Sequence, residues 1–445
     1  MKNAIAIASE IDNQKEVENL EISSLKKAIW LYFFLLIFEG ALRKWALPSL
    51  SAPLLIIRDP VALWIIYTAW RKEFLPYSPY LVVTIFITAF SLTFTMLIGH
   101  GNLGVGIYGA RILVIHFPLL FIIGKVFNIK DVIAIGKIML YLAIPMTILV
   151  ALQFYSPQSA WVNRGVGGDM GGAGFSGAMG YFRPPGTFSF TTGNTMFYGL
   201  LAAFVFYFLI QNKKVNRILL ILSVLSLLIA VPLSISRTLL FEVIISFVFA
   251  CITAFLNGKY SRKIIGIFII LLFLLTIVST TEVFQKGTEV FLTRIESASK
   301  FEGGMQGTLI DRYLGGMVNA VGGSASQDLP FFGYGLGMGT NVGSMLLTGG
   351  RTFLIAEEEW GRLIGEMGIL FGLSIIFIRV TICISWLFKA YRNVLEGNLL
   401  AWMLLSFGLV IIPQGQWAQP TALGFGVLVG GLILASFNTL NEEEV

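Results

Sequence analysis

Hydrophobic residues along this chain gather into about twelve runs, at roughly 28–47, 53–70, 80–99, 106–124, 132–153, 190–210, 217–234, 238–256, 264–281, 363–388, 397–413 and 421–437. A helix needs about 20 mostly apolar residues to cross the hydrocarbon of a bilayer, so each run predicts a spanning helix. The run at 53–70 contains Arg58 and Asp59 and predicts an interfacial or broken helix. Polar segments between the runs are short, with three exceptions: residues 1–24, about 154–189 and about 282–362. The first includes "EVENLEISSLKKAI", which reads either as a short amphipathic helix on the membrane surface or as a disordered leader. It does not look like a cleaved signal peptide. The pattern predicts an all-α polytopic membrane protein, with a leader at 1–24 and one integral membrane domain at 25–445 whose two long loops contain short helices.

Composition agrees with the pattern. The chain is 56% hydrophobic and 13% charged, its mean hydropathy is +0.81, and a soluble domain would carry about 25% charged residues. In such a chain the net charge of +6 does not point to nucleic acid; Lys and Arg report orientation instead. One set of short loops carries Arg71 and Lys72, Lys125 and Lys130, Lys213, Lys214 and Arg217, Lys259, Arg262 and Lys263, and Lys389 and Arg392. These basic loops are expected to be cytoplasmic. With an even number of spans both termini are cytoplasmic too, and the long loops at about 154–189 and 282–362 lie outside. The two cysteines, Cys251 and Cys383, sit in apolar runs, and the two histidines are His100 and His116, so neither a disulfide framework nor a Cys- or His-built metal site is supported. No Asp-x-Asp, GxSxG, HExxH or Walker loop is present.

Candidate chemistry lies in the two outer loops. Neither has the low hydrophobicity and high charge of disordered sequence. In the second, "IDRYLGGMVNAV" reads as an amphipathic helix and "LPFFGYGLGMGT" as a glycine-rich turn. The outer side also collects arginines: Arg164, Arg183, Arg237, Arg294, Arg312, Arg351 and Arg362, with Arg111 a turn or two inside a span. Arginine presents a planar fork of donors that matches phosphate geometry. Taken singly, each could be snorkelling or paired with Glu242, Asp311 or the glutamates at 357–359; as a set they suggest the phosphate or diphosphate headgroup of a lipid. The glycines of "GYGLGMG" could bring backbone amides to an anion, or they could form a flexible turn.

Four acids stand at the entrance to the run at 363–388: Glu357, Glu358, Glu359 and Glu366. Glu358, Arg362 and Glu366 are spaced i, i+4, i+8 and would share a helix face. A capped helix with an ion-paired stripe accounts for two or three of them and leaves one, such as Glu357, free to accept a proton as a general base.

These features resemble the O-antigen ligase and polymerase superfamily of bacterial inner-membrane glycosyltransferases. The resemblance rests on Arg183 before "GTF", on "SRT" around Arg237 between two spans, and on a long outer loop that ends in a helix. "IDRYLGGMVNAV…LPFFGYGLGMG" is similar to the family's loop segment. "EEEWGRLIGEMGILFG" is similar to its following helix, H-N-x-x-L-x-x-L-x-E-x-G, with Ile364 on the second Leu and Glu366 and Gly368 on E-x-G. The likeness extends over most of the chain in topology and over 183–240 and 310–372 in motif detail. It implies a GT-C-like fold in the bacterial inner membrane, a site facing the periplasm or exterior, and polyprenyl-diphosphate-linked glycans as substrates within the bilayer. No cofactor is implied. A chain-length regulator or another polysaccharide-assembly protein is a partner it allows. By this resemblance the acceptor hydroxyl passes its proton to Glu357 or to Glu358 or Glu359, and attacks the anomeric carbon with inversion. Arg183, Arg237 and Arg312 stabilise the leaving diphosphate without a metal, and Arg111 and Arg351 are further candidates for binding it. The family histidine falls on Glu357 and the neighbouring asparagine on Glu358. That histidine is characteristic of the ligase subgroup, and "FEGALRKW" at 38–45 also departs from the ligase pattern, so a polymerase of surface or exopolysaccharide is expected. The alternatives are ligase-type transfer to another acceptor, a transporter or flippase of lipid-linked glycans, and a non-catalytic partner in polysaccharide assembly.

Overall fold

The computed structural model describes residues 2–211, 215–302, 329–350 and 352–438. Arg312, Arg351 and the helix expected at "IDRYLGGMVNAV" lie outside the described residues. The helices are α1 (Lys2–Ala41), α2 (Arg58–Arg71), α3 (Pro79–Leu97), α4 (Leu103–Arg111), α5 (Phe117–Val126), α6 (Ile129–Tyr155), α7 (Thr191–Gln211), α8 (Arg217–Leu233), α9 (Arg237–Leu256), α10 (Ser261–Ser279), α11 (Glu282–Glu302), α12 (Asn341–Thr348), α13 (Glu359–Leu395), α14 (Leu400–Gln414) and α15 (Pro420–Ala435). Two residues each of β1 (Phe175–Ser176) and β2 (Phe182–Arg183) pair antiparallel in the first long loop.

Every apolar run is helical. Among the described residues, eight segments are long and apolar enough to cross a membrane: Pro53–Arg71, Pro79–Leu97, Leu103–Val126, Ile129–Tyr155, Thr191–Gln211, Arg237–Leu256, Gly258–Ser279 and Glu359–Leu395. The runs at 217–234, 397–413 and 421–437 form α8, α14 and α15, apolar but shorter, and the run at 28–47 completes α1. The protein is therefore membrane-embedded, and among the described residues its regular secondary structure is helical but for the short β1–β2 pair. The polar leader is continuous with the first apolar run in α1. Segment 53–70 is a 3-10 turn, Pro53–Ile56, followed by α2, in keeping with a broken helix.

The helices are layered by polarity. Phe86 and Phe90 of α3 and Ile265, Ile269 and Phe273 of α10 are exposed, a face suited to lipid. Nearly all of α7 and α15 is buried at the centre. Close approach there needs small residues: a Cβ at Gly430 or Gly431 of α15 would run into Leu120 or Ile123 of α5.

Charges inside the bundle face one another. Asp59 of α2 pairs with Arg111 of α4 at 2.6 Å and with His116 at 3.0 Å. Arg58 lies 3.6 Å from Glu39 and donates to the Pro420 carbonyl at 2.5 Å. Inward pairing is why α2 tolerates two charges at its start.

α13 is two limbs. Gly368 breaks it with φ 78°, a conformation that suits glycine. Arg379 meets Glu359 at 2.6 Å although 20 residues separate them; a straight helix would hold them about 30 Å apart. A Cβ on Gly372 would lie 2.6 Å from the Ile364 Cα. Limb 359–367 therefore lies beside the start of limb 369–395, and the sequence-based expectation of one simple span entered past an acidic door is corrected here.

Candidate functional site

A cavity of about 520 Å³ opens where the N-termini of α7, α9 and α13 converge with the α14–α15 connection, beside α11. Arg183, Arg237, Arg294, Glu242 and the three glutamates at 357–359 line it, together with Trp360, threonines 191, 192 and 195, and glutamines 414, 416 and 419. From this level α7 runs 21 residues to Gln211 and α9 runs 20 residues to Leu256, about 30 Å each. They end at the basic connections carrying Arg217 and Lys259, so cavity and basic loops occupy opposite ends of the bundle.

Arg183 reaches the cavity because the segment behind it is clamped. Gln153 donates to the carbonyls of Val162 and Gly186 and accepts from the Gly186 amide at 2.8 Å. Asn194 holds the Pro184 carbonyl at 3.2 Å. "FEGALRKW" supplies the other jaw. Lys44 donates to the Gly186 carbonyl at 2.6 Å and Arg43 donates to Ser189 at 3.0 Å. A Cβ on Gly40 would collide with the 187–189 backbone. The stretch that departs from the ligase pattern thus holds the arginine loop in place.

Arg237 is presented by the tight α8–α9 turn. Ile235 takes φ 49°, rare and strained for a β-branched residue, and Ser236 caps α9 by accepting from the Leu239 amide. The N-terminal amides and dipoles of α7 and α9 add positive potential where an anion would sit.

The acids divide sharply. Glu359 is buried and saturated: Arg362 donates to both its oxygens at 2.9 and 3.0 Å, Arg379 at 2.6 Å and the Trp417 amide at 3.1 Å. Arg362 continues to Glu366 at 2.6 Å. The ion-paired stripe is thus Glu359–Arg362–Glu366, one residue away from the expected Glu358–Arg362–Glu366 register, because Glu358 is the N-cap residue and lies outside the helical face. Glu357 and Glu358 are exposed in the cavity, and their carboxylates form no ion pair among the described residues.

The glycine-rich turn clasps this network. The Tyr334 and Gly335 amides bond the Gly365 and Glu366 carbonyls at 2.8 and 3.0 Å, and the Gly339 amide donates to the Glu366 carboxylate at 2.9 Å. These amides are engaged within the protein. Gly333 and Gly368 pack backbone to backbone with positive φ at both, which ties the "GYG" and "E-x-G" stretches together. Arg111 stands apart from the cavity, paired with Asp59 and stacked 4.0 Å over Tyr108.

Of the residues expected from sequence, Arg183, Arg237 and glutamates 357–359 meet in one cavity. Arg294 joins them on the helix α11. Glu242 was weighed only as an ion-pair partner, although a lone acid within "TLLFEVIISFVF" is itself a signal, since such residues mark sites in membrane proteins. Among the described residues no cluster of three His, Cys, Asp or Glu could hold a metal ion. Comparison with protein-family models, curated proteins and solved structures finds no match.

Proposed function

We propose that the cavity receives the diphosphate headgroup of a lipid-linked glycan, and that the protein is a metal-independent inverting glycosyltransferase joining such glycans, as a polymerase of bacterial surface polysaccharide does. The observation that carries this reading is the meeting of Arg183, Arg237 and Arg294, from three separate elements, with the carboxylates of Glu357 and Glu358, which form no ion pair among the described residues, at one cavity. Three guanidinium groups suit a dianionic leaving group, and a carboxylate beside them suits a hydroxyl that must lose a proton. In this reading all twelve apolar runs cross the inner membrane in a GT-C-like arrangement. The basic connections then face the cytoplasm and the cavity faces outward.

The reaction is one displacement. Glu357 or Glu358 accepts the proton of the acceptor hydroxyl, whose oxygen attacks the anomeric carbon of the donor. The carbon–oxygen bond to the diphosphate breaks, its electron pair leaves with the diphosphate, and the arginines stabilise that charge. Glu359, saturated at the cavity wall, holds the α13 N-terminus in place rather than exchanging protons.

The test uses purified protein in nanodiscs with polyprenyl-diphosphate glycans from the source cells. The expected result is longer lipid-linked glycan with release of polyprenyl diphosphate, lost in Arg237→Ala while the fold is retained. A single transfer to a different acceptor would indicate ligase activity. Binding without any product would favour a transporter or assembly partner.

A further inference from the structure

Glu242 sits on α9 five residues beyond Arg237, with 1% of its surface exposed, and it lines the cavity. Among the described residues neither of its carboxylate oxygens has a hydrogen-bond partner. Buried carboxylates are ordinarily saturated, as Glu359 is in the same bundle. Two hydroxyls near Glu242 are turned elsewhere: Thr195 donates to Ser236 at 3.1 Å, and Ser246, one turn further along α9, pairs with Ser406 at 2.8 Å. Gly199 of α7 makes room for the side chain, since a Cβ there would collide with Glu242 Oε2. The fold therefore accommodates a carboxyl group against the cavity and, among the described residues, gives it no hydrogen bond, so we look for its donors in whatever fills the cavity.

The required chemistry is narrow. An ionised diphosphate brings acceptors and no donor. An aliphatic chain brings no donor. Adjacent hydroxyls of a sugar ring bring two donors at a spacing that a carboxylate's two oxygens accept. The step of five residues from Arg237 is about 7.5 Å along the helix, comparable to the span from a diphosphate to the hydroxyls of the sugar it carries. Thr191, Thr192 and Gln414 on the neighbouring walls add neutral polar contacts of the same kind.

We propose that Glu242 receives hydroxyls of the sugar attached directly to the diphosphate, and so selects glycan-bearing lipid over bare lipid diphosphate. This rests on the reading of the cavity as a lipid-diphosphate site. The test measures binding by the full chain in nanodiscs of two probes: undecaprenyl diphosphate, and polyprenyl-diphosphate glycan extracted from the source cells. The wild type is expected to prefer the glycan-bearing lipid. Glu242→Gln is expected to weaken that lipid by about ten- to a hundredfold, the loss of one or two hydrogen bonds to a charged group, and to leave bare diphosphate binding unchanged. Gly199→Ala, which displaces the carboxylate without altering its charge, is expected to do the same and serves if Glu242→Gln fails to fold. Equal affinity of the wild type for both lipids, retained preference in the two variants, or equal weakening of both probes would overturn the proposal while the diphosphate site stands. Failure of the wild type to bind either lipid would overturn the diphosphate reading and the sugar contact with it.

Discussion

Two regions only a helical turn apart use the same residue types to opposite ends. From the cavity wall inward, Glu359, Arg362, Glu366 and Arg379 form a closed set in which each carboxylate meets a guanidinium or an amide at 2.6–3.1 Å. Arg379 also donates to the carbonyls of Ile412 and Gly415 and stacks 3.9 Å over Trp417. In the cavity, Glu357 and Glu358 form no ion pair among the described residues, and there the Glu242 carboxyl oxygens have no hydrogen bond either. A saturated network resists change because breaking one member strands a buried charge. A group left open at a cavity can take its partner from solvent or from a ligand. Saturation, rather than residue type, separates scaffold from site.

The division can be broken in several ways. Glu359→Ala leaves Arg379 without a carboxylate and Arg362 with Glu366 alone, and a stability loss of about 3–5 kcal/mol is expected, read as a fall in melting temperature in detergent. A normally folded but inactive variant would move Glu359 into the site. Arg237→Ala changes a cation of the cavity lining: turnover is expected to fall by about 10²–10³-fold, the size seen when a group stabilising transition-state charge is removed, with an unchanged melting curve. Loss of fold would make Arg237 scaffold. Glu357→Gln and Glu358→Gln sharpen the question of the base. Whichever residue takes the proton should lose about 10²-fold in turnover and the other far less, and equal small effects would remove both from that role. The smallest effect is expected at the hinge that makes the network possible. Gly368→Ala puts a Cβ at φ 78° against the Phe331 carbonyl and should cost about 1–3 kcal/mol of stability, measured by thermal unfolding. Unchanged stability would show that the limbs do not depend on that backbone conformation.

Much of this was legible in the order of residues. Arg183 and Arg237 stood out because positive charge outside a basic-loop pattern needs a reason, and both line the cavity. Glutamates 357–359 stood out because acids are costly at the edge of lipid, and all three line it too. Which of the three is saturated was not legible, because Arg379, the partner that settles it, lies 20 residues away across a helix break. Arg111 carried the same signal as Arg237 but pairs with Asp59 of α2. Glu242 looked like one more acid within reach of an arginine until the neighbouring hydroxyls were seen to bond each other.

Residue order is enough to mark a helical membrane protein, to place its apolar runs and to show at which ends of them charge accumulates. Those properties follow from local composition and from the cost of polar groups in hydrocarbon, which act residue by residue. Which charges are partnered is set by the folded packing. Pairing depends on contacts of a few ångströms between segments far apart in the chain, and a single glycine, Gly368, redirects a limb enough to change them.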